Sequence, residues 1–127
     1  MRSEEGKRLV ALLRNEIFNA YAKSDNFGLI FTFVWAFDLK EDWGFVENLS
    51  EIFKQQDGEI YYIELEADYD IRFSRNTTEN RLLHKPTKRD IDFITKIFTE
   101  NESKYRLNSY PGEIDFDNYL RINNTDL

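Results

Sequence analysis

The residues Leu29-Ile30-Phe31-Thr32-Phe33-Val34-Trp35-Ala36-Phe37 form a continuous apolar run rich in β-formers, ended by Asp38. Such a run fits a strand covered on both faces, as in a parallel sheet, better than an amphipathic element with one wet side. Residues 29–67 as a whole have the rhythm of a βαβ unit. The spacing predicts a helix at about 41–56, with Phe45/Val46, Leu49 and Ile52/Phe53 as its core stripe and Gly58 as its stop. Residues 60–67, Ile-Tyr-Tyr-Ile-Glu-Leu-Glu-Ala, then read as a second strand.

Before the run, residues 4–23 are expected to be a helix. Ser3 is placed to cap it, Glu4 and Glu5 suit its first turn, and Val10, Leu13, Ile17 and Ala20/Tyr21 recur on one face. After the second strand, a short helix is expected at about 69–75 and a longer one at 90–103 with Ile91, Ile94 and Ile97/Phe98 inward. Pro86 keeps the segment between them from being one continuous helix. Tyr110-Pro111-Gly112 reads as a turn and Tyr119-Leu120-Arg121-Ile122 as a last short strand. The expected fold class is therefore α/β, in one domain spanning 1–127.

Composition narrows the function classes. The chain has no cysteine, which excludes disulfide scaffolds, thiolate metal sites and thiol chemistry. The start of the sequence has no apolar signal-like stretch and no run approaches a membrane span, so the expected location is cytoplasmic, with no membrane partner. The net charge of −7 argues against nucleic acid as a general partner.

That charge is unevenly spread. Residues 72–89 hold Arg72, Arg75, Arg81, Lys85, Lys88 and Arg89 against the single acid Glu79, so this segment carries +5 and the remainder −12. Clustered guanidinium and ammonium groups pair with phosphate oxygens, which makes a nucleotide or another small anion the expected ligand. A solvated charged face is the plainer reading. The segment is polar and self-repelling, so it is also expected to move in the absence of ligand.

Asp38 falls where the first strand should end, the edge at which open α/β sheets bind ligands. It can hold magnesium, accept a substrate hydroxyl, or cap the next helix. Glu64 and Glu66 alternate on one face of the second strand and need partners if that face is covered. An acid pair near Asp38 also fits a metal-dependent nuclease core, although Glu66 stands where that chemistry usually wants a lysine. His84 is the only histidine, which leaves no histidine cluster.

Taken together, Phe33-Val-Trp-Ala-Phe-Asp38, Tyr62-Ile-Glu-Leu-Glu-Ala67, Arg75-Asn-Thr-Thr-Glu-Asn-Arg81, His84-Lys-Pro-Thr-Lys-Arg-Asp90, Lys104-Tyr-Arg-Leu-Asn108 and Tyr119-Leu-Arg-Ile-Asn-Asn-Thr125 carry a resemblance. The stretch from Leu29 to Leu127 resembles the C-terminal two-thirds of the P-loop small-molecule kinases of the shikimate-, gluconate- and adenylate-kinase-like group. Within that group it is most similar to uncharacterised bacterial members often labelled AAA family ATPases. The resemblance implies a partial P-loop-kinase-like parallel sheet flanked by helices, with ATP and Mg²⁺ as cofactors and a small molecule as phosphoryl acceptor.

Carried to this chain, the resemblance implies roles for individual residues. Asp38 would stand near magnesium and acceptor, and with Arg75 and Arg81 would form the catalytic set. Arg72, Lys85, Lys88 and Arg89 would belong to a lid over the phosphates. Asn123, Asn124 and Thr125 would lie near the nucleotide base.

The phosphate loop itself is missing. The only Gly-Lys is Gly6-Lys7, with Met1 where the first glycine should stand and Arg8 in place of the hydroxyl. The first strand and the helix the loop would open are lost with it, as is the last helix after Leu127. On this reading the chain is a truncation starting at an internal methionine.

The expected function is then a kinase-like phosphoryl-transfer protein, inactive or incomplete as this chain. The alternative is a non-catalytic anion-binding or protein-interaction module derived from that fold, and the nuclease is the third. Strands 30–37 and 60–66 are expected either to pair directly or to leave a gap filled by another chain. A homodimer through an exposed sheet edge is one form of the second outcome.

Overall fold

A computed structural model describes residues 3–76, 78 and 91–126. Of the basic segment, Arg81, His84, Lys85, Lys88 and Arg89 lie outside the described residues, as does the expected mobility of that segment. The described residues form four helices and two strands in the order α1 (Glu4–Ala22), α2 (Lys40–Lys54), β1 (Tyr62–Glu66), α3 (Tyr69–Asn76), α4 (Ile91–Lys104) and β2 (Tyr119–Asn123). The strands pair in parallel, with Tyr62 opposite Tyr119 and Glu66 opposite Asn123. This is a mixed α/β chain with a two-stranded parallel sheet.

By contacts the chain divides into two compact units. One is Met1–Val34 with Leu39–Tyr61; the other is Trp35–Asp38 with Tyr62–Leu127.

In the first unit the sequence signals set both helix ends. Ser3 caps α1 by accepting the Gly6 N–H at 3.0 Å, and Glu4 and Glu5 occupy the first turn. The chain leaves α2 through Asp57, whose φ of +61° is left-handed, and the Gly58 N–H donates to the Phe53 carbonyl at 2.9 Å. A Cβ at Gly58 would lie 2.8 Å from that carbonyl oxygen, so only glycine fits this close return.

The core of this unit is a cluster of rings. Phe18 of α1 meets Phe31 edge-on at 5.0 Å, and Phe33 stacks on Phe45 of α2 at 4.7 Å. The Arg14 guanidinium lies over both Phe31 and Phe45, at 5.6 and 5.7 Å.

Two expectations are corrected here. The run 29–37 is neither a covered strand nor paired with 60–66. Residues 29–36 are assigned to no strand, and β1 takes β2 as its partner. The run still has the alternation of an extended chain, with Leu29, Phe31, Phe33 and Trp35 half-buried and Ile30, Thr32 and Val34 exposed. Phe31 and Phe33 find cover on α1 and α2 rings, which anchors one face without any ladder.

The second correction concerns α1. Its expected stripe of Val10, Leu13, Ile17 and Tyr21 is exposed, and Phe18 is buried instead. One phenyl ring against Phe31 and Phe45 gains directed aromatic contacts that the aliphatic stripe does not offer. On α2, by contrast, Phe45, Val46, Leu49, Ile52 and Phe53 are all half-buried, as their spacing requires.

The second unit is built on β1 and β2. Ile94 of α4 is fully buried, and Tyr69, Phe73 and Phe98 join α3 to α4 with ring centroids 5.5–6.1 Å apart. Trp35 stacks on Phe37 at 4.4 Å, and Phe116 packs on Tyr62 at 4.7 Å. Among the described residues no helix is long and apolar enough to cross a membrane.

The inverted α1 face gives a direct test. Phe18→Ala should destabilise the chain by about 3–5 kcal/mol, whereas Leu13→Ala, at a position 60% exposed, should change stability by less than about 0.5 kcal/mol. Urea titration monitored by circular dichroism measures both, and the opposite order would restore the aliphatic stripe as the core.

Candidate functional site

The polar centre of the second unit is the carboxylate of Glu64, on the side of β1 opposite Ile63 and Leu65. The parallel register places Arg121 of β2 opposite Glu64, with Tyr119 two residues before it on the same face. Glu64 Oε1 accepts hydroxyl protons from Ser109 and Tyr119, each at 2.5 Å. Its Oε2 accepts the Asn108 side-chain amide at 2.8 Å and the Ser109 backbone N–H at 2.9 Å. Burial by itself raises the pKa of this carboxyl, but the side-chain donors Ser109, Tyr119 and Asn108 and the Ser109 amide outweigh it and bring the pKa down to about 2. Tyr119 responds in the opposite sense: burial first, then the Glu64 carboxylate, raise its phenol above the usual value.

A carboxylate with four donors and so low a pKa is a poor base near neutrality, because a general base works best with a pKa near the working pH. Glu66 is similarly engaged, pairing with Arg121 at 2.6 Å, while Arg121 also donates to the Ser109 carbonyl at 3.1 Å. The expected acid pair therefore ties β1, β2 and the 108–109 loop together.

Beside this network lies an open cleft of about 570 Å³, lined among others by Asp38, Arg72, Glu102, Lys104 and Arg106. The turn after α4 builds one wall. Pro111 and Gly112 occupy its middle, Gly112 has φ +78°, and Glu113 N–H returns to the Tyr110 carbonyl at 3.0 Å, a type II arrangement. The turn delivers Glu113 to Arg106, which donates to its two oxygens at 2.5 and 2.8 Å. The Arg106 guanidinium stacks over the Tyr110 ring at 4.0 Å. That pairing raises the Arg106 pKa and lowers that of Glu113.

The predicted site residues separate into two groups. Asp38 is exposed, and its Oδ1 accepts the Arg106 backbone N–H at 3.2 Å. It does not cap α2, which begins after Leu39 with no side-chain cap. Arg72 reaches the same cleft, but its guanidinium is paired with Glu102 and its Nε donates to the Ala67 carbonyl at 2.9 Å.

Arg75 belongs to a different cluster. It donates to the Asn124 side chain at 2.6 Å and to the carbonyls of Asn124 and Thr125 at 2.8 and 3.0 Å. Thr125 in turn accepts the Asp68 N–H at 3.1 Å, and Asn123 accepts the Thr125 N–H at 3.0 Å. The structure thus joins Arg75 with Asn123, Asn124 and Thr125 as a lock on the end of β2, and joins Asp38 with Arg72 at the cleft.

Sequence reasoning did not single out Ser109, Arg106 or Glu113. The pieces Lys104–Asn108 and Tyr110-Pro111-Gly112 were visible, but nothing in their spacing shows that they return to β1. Among the described residues no three His, Asp or Glu side chains converge as a metal set. Asp38 supplies one carboxylate, and the acids of β1 are bound elsewhere.

No protein-family model, curated protein or solved structure matches the chain.

The Glu64 network yields a pH prediction. Its folded pKa lies below the ordinary 4.5, so its contribution to stability is complete above about pH 4.5 and fades as the pH falls toward 2. Discounted for solvent screening, that contribution is about 1–2 kcal/mol. Glu64→Gln should lose it at neutral pH, since the neutral amide gives up the charge-assisted bonds and its NH₂ leaves the Ser109 and Tyr119 hydroxyls able only to accept, and its acid unfolding should be flatter between those limits. Denaturant midpoints measured along a pH series check both.

Proposed function

We propose that this chain is a non-catalytic protein-interaction module of α/β architecture, descended from a phosphoryl-transfer kinase fold, and completed by another polypeptide. The observation that supports it most is the inverted polarity of the sheet. The face carrying Glu64, Glu66, Tyr119 and Arg121 is hydrogen-bonded within the unit. The other face presents Ile63, Leu65 and Leu120, all more than half exposed, with Ile63 opposite Leu120 and Leu65 opposite Ile122.

Parallel sheets in folded proteins are covered on both faces, and a two-stranded sheet with a bare apolar face is marginal in water. An apolar surface of this kind marks an interaction site. The cleft adds little catalytic capacity, because Arg72 and Arg106 already neutralise Glu102 and Glu113. The 127 residues also lack the glycine loop that aligns a triphosphate.

A second reading is favoured by one specific arrangement: Asp38 and Lys104 share the cleft, and Lys104 makes no ion pair with a described acid. In a kinase-like protein Asp38 would hold Mg²⁺ and Lys104 would meet a phosphate of ATP.

Two measurements separate the readings. The purified chain should enhance the fluorescence of anilinonaphthalene sulfonate, and Ile63→Ser with Leu120→Ser should reduce that signal while each shifts stability by less than about 0.5 kcal/mol. If those changes unfold the chain, the face is internally packed and the module reading fails. ATP consumption with Mg²⁺ should be absent; turnover abolished by Asp38→Ala would establish the second reading instead.

A further inference from the structure

In the first unit, Leu29–Val34 belong to no helix or strand, and among the described residues their backbone N–H and C=O groups make no hydrogen bond. The inner side chains Phe31 and Phe33 are held on the ring cluster, which keeps the segment extended. The outer side chains are uncovered: Ile30 is 94% exposed and Val34 75%. An exposed extended segment is normally protected by charge, proline or a bulge. Residues 29–37 contain neither a charged residue nor a proline.

We infer that this segment is a homodimer edge, residues 30–34 of one copy pairing antiparallel with the same residues of a second copy about a two-fold axis at Thr32. The inference rests on the module reading and names the partner of this edge.

The outward pattern is self-complementary. With the axis at Thr32, Ile30 of each copy faces Val34 of the other and Thr32 faces Thr32, so every outward pair is β-branched, a combination that stabilises sheets. Parallel stacking would put Ile30 on Ile30 and leave both outer edges open for further copies. A two-fold pair joins like edges, so the same contact does not repeat beyond two copies. A neutral run also lets copies of charge −7 meet without like charges opposed along the contact.

Area sets the strength. Ile30 and Val34 offer on the order of 200 Å² of apolar side chain per copy, against about 600 Å² per partner at the low end of stable interfaces. The dimer is therefore weak and reversible, with a dissociation constant on the order of 100 μM.

Because the natural chain has no cysteine, Thr32→Cys creates a unique thiol on the axis. Under mild oxidation it should form a disulfide-linked dimer, whereas Thr99→Cys, on an exposed part of α4, should not. Sedimentation of the unmodified chain should show a monomer–dimer equilibrium, weakened at least about tenfold by Val34→Lys. If Val34→Lys unfolds the chain, the cysteine comparison decides alone.

A chain that stays monomeric to about 1 mM, with Thr32→Cys cross-linking no faster than Thr99→Cys, overturns the dimer. Growth beyond two copies overturns the two-fold axis. In either case dye binding at Ile63 and Leu120 still reports on the module reading: retained, that reading stands with a different partner; absent, both fall.

Discussion

The second unit depends on a single carboxylate. Glu64 receives two hydroxyls, one side-chain amide and one backbone amide, from β2 and from the loop after α4. Two five-residue parallel strands have few ladder bonds and one wet apolar face, so the ladder alone holds them weakly. Charge-assisted hydrogen bonds are roughly twice as strong as neutral ones, and four of them converge here. They fix the 108–109 loop, which sets Arg106, which receives Glu113 from the type II turn. The chain of support runs from one strand residue to the wall of the cleft.

Much of the local structure was legible in the sequence because it is set by local rules. Ser3 caps, Gly58 closes, Pro111-Gly112 turns, and the α2 stripe at Phe45, Leu49 and Phe53 is read directly from its spacing. The observed helices and strands fall within two residues of the expected bounds. The failures are of another kind. The run 29–37 has the composition of a covered strand, but composition does not supply a neighbouring strand to bond it. On α1 periodicity pointed to an aliphatic stripe, and the choice of Phe18 over it was made by rings at positions 31 and 45, invisible from the helix itself.

The site was legible in part for a similar reason. Reading the charge pattern assigned Arg72 and Arg75 to phosphate oxygens; in the structure their partners are Glu102 and the Asn124–Thr125 backbone. A guanidinium fork suits a carboxylate or two carbonyls as well as it suits a phosphate, so residue type alone does not choose among them. Glu64 and Glu66 were seen to need partners. Which donors would serve them depends on a loop more than forty residues away in sequence.

The chain passes from one unit to the other between Val34 and Trp35, between Asp38 and Leu39, and between Tyr61 and Tyr62. That boundary sorts the two tryptophans, leaving Trp43 in the first unit and Trp35, stacked on Phe37, in the second. Each unit therefore carries one indole in its own surroundings. Replacing either indole by phenylalanine leaves a single-colour reporter for the other unit, so the emission of two such chains can be tracked to learn whether the halves melt together or in turn.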